Sequence, residues 1–141
     1  MYNNNKDYDF KVDLPKGQRN EKRIVNILGL NSEQVEVKTE FQFWQTSGNL
    51  AIEIESWGKP SGLKTTKAKY WIHSFNEGET IIGFTCIKVS TLKKIVRKYL
   101  SKNKNNKDKI IRMLGQNNAS KCILIPMTDF IDLWRFVWNK K

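Results

Sequence analysis

Apolar and charged residues alternate in two stretches of this chain. Residues 34–40 read Gln-Val-Glu-Val-Lys-Thr-Glu, and residues 50–56 read Leu-Ala-Ile-Glu-Ile-Glu-Ser. A period of two marks a strand with one buried face. Phe41, Phe43 and Trp44 extend the first strand, and Thr46-Ser47-Gly48-Asn49 has the composition of a turn. The pattern therefore predicts a β-hairpin over residues 34–56. Two more strands are predicted at 70–75 and 80–88, around Asn76-Glu77-Gly78-Glu79, and another at 122–125. Helical spacing appears at Ile24, Val25 and Leu28, predicting a helix over 17–28 that Gly29 stops. It recurs at Leu92, Ile95, Val96 and Tyr99, predicting a helix over 90–100 with Ser90 as N-cap. A last helix starts at Thr128 and Asp129 and carries Phe130, Ile131, Leu133, Trp134 and Val137. A short helix is expected at 64–69 and a charged loop at 101–108, while 110–114 fits neither pattern. Residues 1–15 read as a loose, Asn-rich arm ending at Pro15. No repeat or linker divides the remainder. The expectation is one α/β (α+β) domain over residues 16–141, a central mixed sheet with flanking helices.

Composition narrows the class. The chain has 141 residues, enough for one domain with its own core. Five Trp and 11% aromatic residues are too many for a disordered chain. No apolar run approaches the roughly 20 residues of a membrane helix, and the first residues lack the apolar segment of a signal peptide. Cys86 and Cys122 are too few for a disulfide framework and read as buried thiols. His73 is the single histidine and cannot build a histidine zinc site.

The net charge of +11 is unevenly spread. Acids and bases balance over residues 1–87, whereas residues 88–121 hold eleven basic side chains and only Asp108. Such a basic segment is the footprint of a polyanion partner. Lys93, Lys94, Arg97 and Lys98 lie on the polar side of the helix predicted there.

The hairpin adds chemistry. Side chains two apart share a face of a strand, so Glu36, Lys38 and Glu40 gather on one side, as do Glu53 and Glu55. Facing carboxylates repel unless a cation lies between them. Mg²⁺ suits oxygen ligands, and Mn²⁺ is its natural substitute. A carboxylate-bound metal beside a lysine is equipped to cleave a phosphodiester. Farther on, Lys59, Ser61, Thr65 and Thr66 surround two glycines ahead of the short predicted helix. Backbone N–H groups there could receive a phosphate, with Lys64 close by.

The longer run is more specific. Val35-Glu36-Val37-Lys38-Thr39-Glu40, Ser47-Gly48-Asn49-Leu50-Ala51-Ile52-Glu53, Gly58-Lys59-Pro60-Ser61-Gly62 and Thr65-Thr66-Lys67-Ala68-Lys69-Tyr70-Trp71 follow in order. This resembles the PD-(D/E)XK nuclease superfamily, in particular its small phage and bacterial members. The resemblance covers residues 35–73. It implies a restriction-endonuclease-like fold and Mg²⁺-dependent hydrolysis of nucleic acid, with DNA as the first partner and RNA as the alternative. It implies no membrane, the cytoplasm of a bacterial or phage-infected cell, and a homodimer as an assembly able to cut two strands. By position, Glu36 would be a metal ligand, Lys38 the catalytic lysine, Glu21 the acid of the first helix and Glu53 a further ligand. One departure stands out. The superfamily usually carries an aspartate ahead of the Glu-x-Lys strand, and residues 29–34 offer only Glu33. Either Glu36 and Glu53 form the acid pair, or Glu21 or Asp13 supplies the missing carboxylate. If neither holds, the expectation becomes a nucleic-acid-binding accessory protein that does not cut.

Overall fold

The computed structural model describes residues 10–41 and 43–139, with side chains from residue 15 onward except Phe43. Its elements are α1 (Phe10–Leu28), β1 (Val35–Glu40), α2 (Phe43–Ser47), β2 (Asn49–Ser56), β3 (Lys59–Pro60), β4 (Tyr70–Glu77), β5 (Thr80–Lys88), α3 (Val89–Lys102), α4 (Lys107–Ile110), β6 (Ile111–Leu114), β7 (Ser120–Pro126) and α5 (Met127–Asn139). The strands form two sheets: β1-β4-β5 is mixed, and β3-β2-β7-β6 is antiparallel. Helices flank them, giving the expected α+β class in one small domain. Among the described residues no helix is long and apolar enough to cross a membrane.

The hairpin over residues 34–56 does not form. β1 runs parallel to β4, in register from Val35 beside Tyr70 to Glu40 beside Phe75. β2 instead pairs with β7, from Asn49 beside Pro126 to Ser56 beside Ser120. The cause lies between them. Phe43–Ser47 turns into a helix rather than a tight loop, so the chain leaves the plane of the first sheet before β2 begins.

Two apolar clusters hold the layers together. Ile24 of α1 packs on Val35 and Ile72, covering one face of the first sheet. Trp71 and Phe75, which alternate with Ile72, face the other way. They share the larger core with Leu50 and Ile52 of β2, Ile123 and Ile125 of β7, Leu92, Ile95 and Tyr99 of α3, and Phe130 and Leu133 of α5. So α1 and α3 lie on opposite faces of the first sheet.

Several boundaries move. α1 begins at Phe10 and runs through Pro15, so residues 10–15 are helical rather than part of a loose arm, and residues 1–9 fall outside the described residues. Pro15 lacks the N–H that would bond to the carbonyl of Lys11. The helix absorbs that single loss. α3 starts one residue ahead of Ser90, with Lys88 in the cap position and no side-chain cap bond. Residues 64–69 form no helix; a single 3₁₀ turn, Gly62–Lys64, stands there.

Beneath α1 lies a polar seam. Asn20 Nδ2 donates to Thr39 Oγ1 at 3.0 Å, Asn76 Nδ2 donates to Asn20 Oδ1 at 3.1 Å, and Ser74 Oγ donates to Asn76 Oδ1 at 2.7 Å. Asn20, Ser74 and Asn76 are fully buried. A register shift at Phe75/Asn76 marks a bulge where this seam meets β4. Trp44 closes the other side, its Nε1 donating to the Asn76 carbonyl at 3.3 Å. Asn76→Ala would strand buried partners and is expected to cost about 2 kcal/mol. Urea unfolding measures this, with the exposed Ile27→Ser as a control expected within roughly 0.5 kcal/mol of the parent.

Candidate active site

β1 is an edge strand whose two faces differ in chemistry. Val35 and Val37 point toward α1 and join the smaller cluster. Glu36, Lys38 and Glu40 point to the face shared with Trp71, His73 and Phe75, their register neighbours on β4. Lys38 Nζ pairs with Glu36 Oε1 at 3.0 Å, both side chains one-third exposed. The same Nζ stands 5.7 Å from the centre of the Trp71 ring. The Trp71 indole N–H is buried and finds no acceptor among the described residues.

Glu40 goes deeper. Its side chain is only 18% exposed, and His73 beside it is 1% exposed, with His73 Nε2 3.7 Å from Glu40 Oε1. Both reach the backbone of β2. The Ala51 N–H donates to Glu40 Oε1 at 3.4 Å, and His73 Nε2 lies 3.4 Å from the Ala51 carbonyl, to which it donates in the Nε2-protonated tautomer. Along this half of β2 the edge away from β7 has no strand beside it among the described residues; β3 pairs only Glu55 and Ser56. Two side chains from the first sheet thus close an open edge of the second. Burial lifts the Glu40 carboxyl to about 7, although the Ala51 N–H pulls it down. Burial likewise depresses His73 to about 4, opposed by the Ala51 carbonyl and reinforced by Lys38.

β2 supplies the remaining carboxylates. Glu53 sits beside Cys122 of β7. Burial raises the Cys122 thiol to about 12, helped by the charges of Glu53 and Glu40 and opposed by Lys38. A thiol held that far toward its protonated form is a poor nucleophile at neutral pH. Glu55 is turned to other work. Lys64 pairs with it at 3.0 Å and Lys121 at 3.5 Å, and the Lys64 hydrogen bond holds its carboxyl below the usual range.

The loop after β3 ties the two sheets' acids together. Ser61 Oγ donates to Glu53 Oε1 at 2.7 Å, and Thr66 Oγ1 donates to Glu36 Oε2 at 3.4 Å. Gly62 makes this approach possible. Its φ is +54°, and a Cβ there would lie 2.3 Å from the Glu53 carbonyl oxygen. Several backbone N–H groups of the expected phosphate pocket already have partners. The N–H groups of Ser61, Lys64, Thr65 and Thr66 bond to carbonyls within the turn and on Ile54, and that of Ala68 bonds to Thr66 Oγ1. Lys59 and Thr65 are exposed at the rim, as are Lys67 and Lys69.

The structure thus brings Glu36, Lys38, Glu53, Ser61 and Thr66 into one neighbourhood and adds Glu40, His73 and Cys122. It does not bring in Glu21, whose helix packs across the first sheet from Glu36. The Asp13 side chain lies outside the described residues. On α3, Lys94 and Arg97 are exposed and Lys93 and Lys98 half-buried, with Lys98 Nζ 4.8 Å from the Phe136 ring centre.

Mg²⁺ commonly takes one or two carboxylates and completes its shell with water and substrate phosphate. Glu36 and Glu53 meet that minimum. A closed cage is not built: among the described residues no three His, Cys, Asp or Glu side chains are placed to hold a metal. Compared with known proteins, the chain matches no family model, no curated protein and no solved structure.

Two expectations test this geometry. Gly62→Ala forces a left-handed backbone and a clash with Glu53, and should cost at least about 2 kcal/mol in thermal unfolding. The second concerns pH. Between the ordinary value of 4.5 and about 7, folded Glu40 keeps a proton that the unfolded chain has released, so stability falls as pH rises. Between about 4 and 6.5, folded His73 refuses a proton that the unfolded chain accepts, so stability falls as pH drops. The two offset each other in the shared window. Glu40→Gln keeps the acceptor for Ala51 and removes only the first contribution. Urea midpoints should show parity with the parent at acid pH, and a gain on the order of 3 kcal/mol at pH 8.

Proposed function

We propose that this protein is a Mg²⁺-dependent nuclease acting on DNA. One observation carries the reading: a single loop hydroxyl-bonds two carboxylates from different sheets, Glu36 and Glu53, beside Lys38. A solvated charged face has no need of that linkage. In this reading Glu36 and Glu53 hold the metal, which when bound supplies an activated water and polarises the phosphoryl oxygen. Ser61 and Thr66 fix the two carboxylates so that they need not reorganise during the reaction. Lys38 stands between Glu36 and the Trp71 ring and neutralises charge gathering on the phosphate. Lys59, Lys67 and Lys69 at the rim, with Lys93, Lys94, Arg97 and Lys98 of α3, attract the phosphate backbone. The compartment that goes with this reading is the cytoplasm of a bacterial or phage-infected cell.

A second reading has its own observation. Lys38 is engaged by Glu36, and among the described residues no third acid completes a cage. On this reading the same surface binds nucleic acid and does not cut it.

Cleavage of linear and circular duplex DNA in Mg²⁺, Mn²⁺ and EDTA separates the two. The nuclease should turn over with either metal and stop in EDTA. Lys38→Ala should lower the rate about 100-fold or more while binding in EDTA persists. Salt-sensitive binding without cutting in any metal would replace the nuclease with the binding module.

A further inference from the structure

The balanced charge of residues 1–87 conceals a second basic surface. The acids Glu36, Glu40 and Glu53 of that stretch are bonded to Thr66, Ala51 and Ser61, away from α1. On α1, Lys16, Arg19, Lys22 and Arg23 are spaced so that all four fall on one side of the helix, with Glu21 on the opposite side. Arg19, Lys22 and Arg23 are exposed, and with Glu79 they line a shallow pocket of about 310 Å³. Glu79 is the pocket's one acid, and it organises the arginines. Arg19 Nη2 pairs with its carboxylate, and Arg23 Nη2 donates to its backbone carbonyl at 2.6 Å. Arg23 Nη2 also lies 3.3 Å from Asn20 Oδ1, which ties it to the buried seam. Each guanidinium has five N–H groups, so most remain available to an oxygen ligand. Arg19 and its neighbours hold the Glu79 carboxyl below the ordinary range, a sign of the positive field there.

This surface faces away from the basic side of α3. α1 packs on the Ile72 face of the first sheet, and α3 packs on the core that Trp71 enters. Two helices of about 10 Å diameter with a sheet between them put the two basic surfaces roughly 30 Å apart. Duplex DNA is stiff over about 50 nm, so one straight duplex cannot lie on both.

We propose that Arg19, Lys22 and Arg23 of α1 form a second phosphate-backbone site, which takes a separately directed arm of the nucleic acid gripped by α3. The substrate class is then branched nucleic acid, in which two duplex arms leave one point in different directions. This rests on the nucleic-acid reading above.

The test uses the full chain in EDTA, so that no cleavage intervenes. Binding is measured by fluorescence anisotropy for a linear duplex, a single strand and a four-way junction of equal phosphate number. The variants are Arg19→Gln with Lys22→Gln, and Lys94→Gln with Arg97→Gln. Arg23 is kept because it contacts the buried seam, and circular dichroism checks that each variant is folded. The parent should bind the junction about tenfold more tightly than the duplex. The α1 variant should lose that preference, with duplex affinity unchanged within about twofold and the salt slope on the junction reduced by nearly two. The α3 variant should weaken both ligands. Equal affinity of the parent for junction and duplex overturns the proposal. So does an α1 variant that retains the junction preference or weakens the duplex equally, or a parent that prefers the single strand. Absence of binding to every ligand overturns the nucleic-acid reading as well.

Discussion

The architecture depends on how the exposed half of β2 is closed. An open strand edge presents backbone donors and acceptors that must find partners. Here Glu40 and His73 serve Ala51 where a neighbouring strand would otherwise stand. Two titratable side chains therefore do the work of a backbone ladder, and burial disfavours the charged form of each. A charged pair in that place would face a desolvation cost of several kcal/mol per ion. The first sheet holds the second through a polar contact in which His73 is neutral and Glu40 gains charge as pH rises through about 7.

This contact also explains why the acids of β1 and β2 come together without sharing a sheet. Once Ala51 is docked on the face of β1 and β4, Glu53 follows two residues later on the same side of β2. The Ser61-Gly62 turn then closes on it, with the glycine against the Glu53 backbone. Glu36 is reached by the end of the same loop through Thr66. The linkage from edge closure to loop to carboxylate uses few atoms, and each bond in it is short-ranged.

Much of this was legible in the residues. The alternation at 34–40 and 50–56 located β1 and β2 to within a residue or so, and residues 80–88 are a strand over that full span. Periodicity tells which side chains share a face and says nothing about which strand lies alongside. That is why the hairpin was expected and a parallel β1–β4 pair was found. Gly62, one of the two glycines that suggested a phosphate cradle, also packs closely on the Glu53 backbone, of which the residue pattern carried no sign. Glu40 looked like one more solvent-facing acid, because alternation cannot reveal that a second sheet covers the wet side. Linear charge totals hid the basic side of α1, since opposite charges adjacent in sequence separate in space. Glu36, Lys38 and Glu53 were grouped on the expectation of a hairpin, whereas the structure relates them through two sheets and the loop that carries Ser61 and Thr66. Glu21 was carried by resemblance alone, and α1 sits across the sheet from Glu36.

The pairing of β2 with β7 has a consequence for the order of assembly. The first sheet is complete by Lys88, whereas β2 meets its partner only at Ser120–Pro126. A chain emerging from the N-terminus can fold Glu36 and Lys38 into place long before Glu53 is positioned. The distant ladder, with its large loop-closure cost, comes last. The opposing carboxylates therefore meet only in a finished molecule. A nascent chain that has not yet reached Ser120 carries the β1 half of that grouping without the β2 half in place.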